Sequence, residues 1–202
     1  SNFTVYWGKF PQYTLKFEYM GIHRLPRDLE TGRLYAAANI LTQETNVHLS
    51  VPVFRYVNVA ISLKKKNFVI QGISDLQEKS ISTFQNAKDI FGPEFTNMAE
   101  TNHEYREYPQ LNTMADVVIT GRKDVFLGAP YIFLHHLQQN YAGKFSAADF
   151  AFYRIFPEVV NPMGFKDPAL RDEFNQAVEQ IKANGTYDAI YEKYQQLLGF
   201  TE

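Results

Sequence analysis

The sequence predicts an α/β fold, and three observations carry that prediction. Stretches with period-two or wholly apolar patterning alternate with stretches of helical period, the order that builds parallel sheets flanked by helices. The tail, from Asn161 onward, reads as two helices with one apolar stripe each, so both must lie on a core made by earlier residues. Hydrophobic residues make up 45% of the chain and aromatic residues 15%, which lets 202 residues bury a substantial core as one domain or two small lobes.

In chain order, residues 3–13 carry Phe3, Val5, Tyr6, Trp7 and Phe10 and read as the end of a helix stopped by Pro11. Thr14 to Met20 alternates with period two and reads as a strand. Arg24 to Glu30, with Pro26 near its start and Gly32 after it, reads as a short helix, and Leu34 to Ile40 as a buried strand. Phe54 to Lys65 has the longest period-two pattern, with Val57, Val59, Ile61 and Leu63 facing one way and Tyr56, Asn58, Ala60 and Ser62 the other. Lys64, Lys65 and Lys66 follow, either a patch for an anionic partner or, more simply, a solvated strand end. Ser80 to Phe84 is strand-like, and Gln85 to Phe91 is helical until Gly92-Pro93 breaks it. Glu104 to Tyr108 reads as a strand, Leu111 to Met114 as a short helix, and Asp116 to Thr120 as a strand buried by its apolar run. Val125 to Tyr141 reads as a helix interrupted near Gly128 to Pro130. Phe150 to Phe156 alternates again and ends at Pro157.

The tail is the clearest stretch. Asp167 then Pro168 reads as N-cap and first helical residue, since proline lacks the donor that is orphaned there anyway. Leu170, Phe174, Ala177, Val178 and Ile181 form one stripe; Asn184-Gly185 closes the helix, glycine taking the left-handed position without penalty. Thr186 is expected to cap a second helix with Tyr187, Ile190, Tyr191, Tyr194 and Leu198 as its stripe.

Composition excludes several functions. With 20 basic and 22 acidic residues the net charge is −2, so no global basic field points to nucleic acid or an anionic membrane. Zero cysteines exclude disulfides, thiolate metal sites and cysteine nucleophiles. No apolar run approaches the ~20 residues of a membrane helix, and no charged-then-apolar leader opens the chain, so any signal peptide is expected to lie outside this sequence. His135 and His136 are adjacent, which on a helix points them about 100° apart and prevents joint chelation. His103-Glu104-Tyr-Arg-Glu107 lacks the second histidine of a zinc-peptidase motif, and no nucleophile elbow, phosphate loop or dinucleotide fingerprint occurs. The reading is therefore no enzyme, no catalytic residue, no metal and no cofactor.

Phe165-Lys-Asp-Pro-Ala-Leu-Arg-Asp-Glu-Phe-Asn-Gln-Ala, followed by Ile181-Lys-Ala-Asn-Gly-Thr-Tyr-Asp-Ala-Ile-Tyr-Glu-Lys-Tyr, resembles the ending of bacterial extracellular solute-binding proteins of family three, the type-2 periplasmic binding proteins that feed ABC importers. The early strand, short helix and Gly32-Arg-Leu-Tyr35-Ala-Ala resemble the family's first lobe, with tyrosine where aspartate is usual, and Ile73-Ser-Asp-Leu-Gln resembles the helical lead-in to its second. The resemblance implies two discontinuous lobes, residues 1–65 plus 158–202 as lobe I and 66–157 as lobe II. It also implies an N-terminally incomplete first lobe, because members begin with a strand and a long helix before this point; a lobe short of a strand invites a homodimer or strand exchange.

Candidate binding residues follow from the rule that ligands sit outside the carboxyl ends of strands, beside unpaired backbone donors. One such turn runs Asn39-Ile-Leu-Thr42-Gln-Glu44, the other Thr83-Phe84-Gln85-Asn86; Thr42 and Thr83 either cap their own helices or, as the resemblance favours, line the cleft. Thr120 and Arg122 close the Asp116 stretch, Arg24 opens an early helix, and Tyr19, Phe54 and Phe84 offer flat aromatic walls; each has a surface or core role as its alternative. Against the family pattern, Thr45 stands where amino-acid-binding members carry the arginine that holds the ligand carboxylate, and Gly121 where they carry the aspartate that holds the amino group. The resemblance thus implies a periplasmic protein that captures a small polar solute, not an ordinary α-amino acid, for the membrane subunits of an ABC importer. Alternatives are a ligand-sensing domain of a receptor, a degenerate member that no longer binds, and a protein whose catalytic domain lies outside this chain.

Overall fold

The computed structural model describes residues 13–18, 20, 24–38, 40 and 46–197. By internal contacts the chain forms two compact units, Ser1–Tyr56 with Val159–Tyr194 and Val57–Glu158 with Gln195–Glu202.

In unit 1, helix α1 (Leu25–Glu30) precedes strands β1 (Ala36–Ala38), β2 (His48–Leu49) and β3 (Phe54–Val57). The expected short helix is present, and Gly32 follows it at a φ of +77°; the buried strand expected over Leu34–Ile40 forms only at Ala36–Ala38, with Ala37 buried and its two neighbours half-buried. The expected strand over Thr14–Met20 does not form in its described residues: Leu15 leans on the unit's core but Phe17 is 48% exposed. Alternation marks a strand only where a neighbour supplies a ladder, and none pairs here. The expected helix end over residues 3–13 lies outside the described residues, save Tyr13.

In unit 2 come β4 (Val59–Leu63), β5 (Ile81–Phe84), α2 (Ala87–Phe91), α3 (Pro93–Thr101), β6 (Tyr105–Tyr108), α4 (Leu111–Ile119), β7 (Val125–Gly128), α5 (Pro130–Tyr141) and β8 (Phe150–Tyr153). The strands order β6-β5-β7-β4-β8. β5 runs parallel to β6 and β7, as the sequence pattern predicts, whereas β4 is antiparallel to both β7 and β8, so the sheet is mixed. The long Phe54–Lys65 strand is two strands that part at Asn58. Its faces are as the alternation reads. Val59, Ile61 and Leu63 join a core under α4 and α5, and Ala60 joins a second core with Ile81, Leu127, Phe95 and Met98. Residues 59–63 are thus an inner strand of this sheet. The contact division accordingly falls at 56/57 and 158/159, where the sequence division is drawn at 65/66 and 157/158.

Three readings in unit 2 change. Asp116–Thr120 is not a strand: Asp116–Ile119 is the second half of α4 and Thr120 its C-cap, with Met114, Ala115, Val117, Val118 and Ile119 buried; an apolar run of this length looks the same in a buried helix. Val125–Tyr141 is not one interrupted helix: Val125–Gly128 is strand β7, and α5 starts at Pro130. Gly92, at a φ of +85°, ends α2 and also begins α3, a helix absent from the sequence reading.

Asp124 ties the starts of β5 and β7 to the turn after β4. It accepts from Lys66 Nζ at 2.7 Å and from the Ser80 N–H and hydroxyl at 3.0 and 2.8 Å. Burial works against its ionisation, but these donors outweigh that and hold the carboxyl below its ordinary range. The lysine run is thus a turn of 3₁₀ helix with its last member engaged.

The chain then returns to unit 1 through β9 (Glu158–Asn161), β10 (Met163–Phe165), α6 (Pro168–Ala183) and α7 (Thr186–Leu197). β10 lies between β1 and β2, antiparallel to both, and β9 pairs with β3. Asp167 caps α6 by accepting from the Ala169 N–H at 2.8 Å, and Phe174, Ala177, Val178 and Ile181 are buried as the stripe predicts. Gly185 has a φ of +76° and accepts from Ala189 N–H, so Gly185, not Thr186, holds the N-cap position of α7. Tyr187 is buried and its hydroxyl donates to Val53 O at 2.6 Å.

Gly164 leaves no room for a side chain: a Cβ there would sit 2.7 Å from Ile40 Cγ1 and 3.0 Å from Leu29 Cδ1. Gly164→Ala should therefore lower the unfolding free energy by about 1–3 kcal/mol through overpacking, read as a drop in denaturant midpoint at unchanged slope.

Candidate functional site

In unit 2 the carboxyl ends of β5, β6 and β7 lie side by side, because these three strands are parallel and adjacent. Each gives way within a few residues to a helix: β5 to α2, β6 to α4 and β7 to α5. Such an edge is where an open α/β sheet presents backbone donors and loop side chains to a ligand. Three expected site residues come together there. Thr83 is fully buried and its hydroxyl donates to Leu127 O at 3.0 Å, binding β5 to β7. Phe84 is half-buried, with its ring edge-on to Phe91 at 5.4 Å, and Gln85 is exposed in the turn. Asn86 follows at a φ of +63°, and its N–H donates to Glu107 Oε2 at 2.9 Å. Glu107 also accepts from the Tyr105 hydroxyl at 2.6 Å. Burial foremost, then this bond, pushes the Tyr105 phenol far above its ordinary range. The edge therefore combines aromatic faces with a carboxylate that already has two donors.

The other expected residues are elsewhere. Thr120 is exposed at the end of α4; its hydroxyl donates to Asp116 O at 2.6 Å and accepts from Arg122 Nε at 3.1 Å. Arg24 is exposed at the start of α1 and pairs with Asp28 at 3.6 Å, a carboxylate it shares with Arg33 at 2.9 Å. Phe54 is buried in the core of unit 1. Tyr19, Asn39, Thr42 and Glu44 lie outside the described residues.

A second polar cluster joins α4 to α5. Asp116 Oδ1 accepts from His136 Nε2 and from the Tyr141 hydroxyl, both at 2.7 Å, while His136 Nδ1 lies 3.1 Å from Asn140 Nδ2. An ionised Asp116 fixes the imidazole with its proton on Nε2, leaving Nδ1 as acceptor for the Asn140 amide. Both ring nitrogens are thus engaged, and His136 is only 8% exposed, so the pair works as a clamp between helices. Burial disfavours the Asp116 charge, but the His136 and Tyr141 hydrogen bonds outweigh it and lower its pKa; the same bond, with burial, raises that of Tyr141. Beside the clamp a shallow groove of about 560 Å³ is lined by Leu111, Tyr131, Ile132, His135, Gln139 and Asn140, among others. No group of three or more metal-ligating side chains occurs among the described residues.

Asp116, His136 and Glu107 are not among the residues that sequence reasoning singles out for the site. Tyr105 and Glu107, two apart on a strand and so on one face, were the available signal.

Residues 9–196 match the bacterial extracellular solute-binding proteins, family 3. The chain belongs to that family. Among solved structures, this family-3 protein is similar to an ancestral cationic amino acid solute-binding protein, at 17% identity and a TM-score of 0.72 over 96% of this chain and 83% of that one. It is also similar to the substrate-binding protein of an amino acid ABC transporter from Streptococcus pneumoniae bound to L-arginine (13% identity, TM-score 0.66, 98% and 81% covered). A histidine kinase sensor domain with similarity to periplasmic binding proteins aligns as well (13% identity, TM-score 0.70, 96% and 83% covered). These likenesses show the fold, the two-lobed α/β architecture of periplasmic binding proteins. No curated protein matches the family-3 chain. Among its described residues no helix is long and apolar enough to cross a membrane.

Because the folded Asp116 pKa lies below its unfolded value, its contribution to stability is present above the unfolded pKa and lost as pH falls through the folded one. The difference in unfolding free energy between wild type and Asp116→Asn should therefore shrink as pH is lowered from about 6 to about 3, measured by denaturant titration at each pH.

Proposed function

We propose that this protein is an extracytoplasmic, periplasmic carrier that captures a small polar solute between its two lobes and presents it to the membrane subunits of an ABC importer. The observation that carries the reading is the family match over residues 9–196. Function is then affinity and closure with no chemical step: a solute that touches both lobes favours the closed state by its differential contacts. A second reading, a ligand-sensing domain of a receptor, draws on the kinase sensor domain among the similar structures.

We further propose that the solute is not an ordinary α-amino acid. Thr45 occupies the position where the resemblance expects the carboxylate-binding arginine. The position of the amine-binding aspartate needs correcting. Asp116–Thr120 is helical, and the strand led by an aspartate is Asp124-Val-Phe-Leu-Gly128, which is followed by Ala129 rather than by Gly121. Alanine, like glycine, has no charge to offer the amino group, so neither position supplies the second anchor. Losing two charge-assisted bonds worth about 1.5–3 kcal/mol each would weaken amino-acid binding on the order of 10²–10⁴-fold.

Thermal-shift titration with glycine-to-glutamate amino acids at micromolar concentration should give no clear stabilisation, and a saturable shift by any of them would overturn the exclusion. Native mass spectrometry of freshly purified protein should reveal a small non-amino-acid solute that leaves on gentle activation. A protein that neither retains nor responds to any small solute, sugars and amines included, would sink the carrier reading.

A further inference from the structure

Asn184-Gly185 is the sequence's one Asn-Gly pair, and it falls at the exposed junction of α6 and α7. In such a pair the backbone nitrogen of the glycine can attack the asparagine side-chain carbonyl, because no Cβ of its own residue shields it. The surroundings are open as well: no described atom lies within 4 Å of where a Gly185 Cβ would stand.

The folded junction holds both reacting groups. Asn184 Oδ1 accepts from the Thr186 N–H at 3.0 Å, and the Gly185 N–H donates to Lys182 O at 3.2 Å. The Asn184 ψ of 7° is a third restraint, since the five-membered ring closes only when Cβ and the Gly185 nitrogen eclipse about the Cα–C bond. Reaching that arrangement breaks both bonds and swings Gly185, whose carbonyl accepts from the Ala189 N–H at 3.1 Å in the first turn of α7. α7 is in turn tied down by the buried Tyr187, whose hydroxyl donates to Val53 O at 2.6 Å.

We propose that Asn184 is a modification site of unit 1, converted to aspartate and isoaspartate through a cyclic imide when the α6–α7 junction opens. In the open state the Gly185 nitrogen gives up its proton to hydroxide and attacks Asn184 Cγ. The N–Cγ bond forms, the Cγ–Nδ2 bond breaks, and Nδ2 takes up a proton and leaves as ammonia. Water then adds to one of the two imide carbonyls. Cleavage of the Cγ–N bond restores the ordinary backbone with a carboxylate side chain; cleavage of the C–N bond routes the backbone through Cβ and Cγ. The aspartate product keeps an acceptor for the Thr186 N–H at the start of α7, where negative charge is favoured. The isoaspartate product adds a methylene to the main chain between α6 and α7, which upsets the spacing that seats Tyr187 on Val53.

The test follows the Asn184 peptide of the full chain by mass spectrometry during incubation in mildly alkaline buffer. The native chain should convert about tenfold more slowly, or slower still, than the same chain in strong denaturant, where nothing holds the junction. Tyr187→Phe removes the hydroxyl that ties α7 to Val53 and should raise the native rate about tenfold. Urea below the unfolding transition should likewise speed conversion in wild type, which keeps the test open if the variant folds poorly. The isoaspartate fraction should unfold at a lower denaturant midpoint than Asn184→Asp, which carries the same charge on an ordinary backbone. Equal rates in native and denatured chains, no acceleration in urea or in a folded Tyr187→Phe protein, or equal midpoints for the two products would each overturn the proposal. None of these outcomes depends on the solute.

Discussion

Strand β4 is covered on both faces, and the organisation of unit 2 depends on that constraint. All five of its residues are buried, so each face needs its own apolar layer. α4 and α5 supply one layer through Met114, Val118, Phe133 and Leu137; Phe95, Met98 and Leu76 supply the other. Since β4 runs antiparallel to β7 and to β8, the strands β6, β5 and β7, which share a direction, are gathered on one side of it, and β8, which shares that direction too, stands alone on the other. The carboxyl ends of β6, β5 and β7 then form a common edge with three helix starts.

The polar groups of unit 2 follow a consistent pattern of carboxylates used as internal staples. Asp124 joins the starts of two strands to the turn after a third, Asp116 joins two helices through His136 and Tyr141, and Glu107 joins β6 to the turn after β5. Each satisfies donors that would otherwise be orphaned at the end of an element. The first two lie away from the edge where the parallel strands end. Glu107 lies on it, with one oxygen on the Asn86 N–H and the other on the Tyr105 hydroxyl.

Features set by local chemistry were legible in the sequence. Asp167-Pro168 and Asn184-Gly185 bound α6 where capping rules put them, and the alternation of Val59, Ile61 and Leu63 against Ala60 sorted one core from the other. Features set by partners were not. Asp116–Thr120 is an apolar run that fits a buried strand or a buried helix equally, and its helical state depends on packing against α5. β9 and β10 escaped because Val159 and Val160 are both exposed and Met163-Gly-Phe165 is too short to show a period; pairing makes them strands. Of the candidate site, the turn at Thr83, Phe84 and Gln85 was readable as a strand giving way to a helix. Glu107 was not, since its meaning comes from standing across from Thr83 on a strand more than twenty residues later.

The buried bond from the Tyr187 hydroxyl to Val53 O reaches from α7 to the segment that leads into β3. Cutting the chain at the exposed Asn184-Gly185 junction would thus do more than release a surface helix. It would leave a carbonyl without its donor in a dry interior, beside the point where the polypeptide leaves unit 1. Proteolytic susceptibility at that junction should accordingly track the integrity of the whole unit, giving a simple readout of whether ligands or substitutions elsewhere in it tighten or loosen its packing.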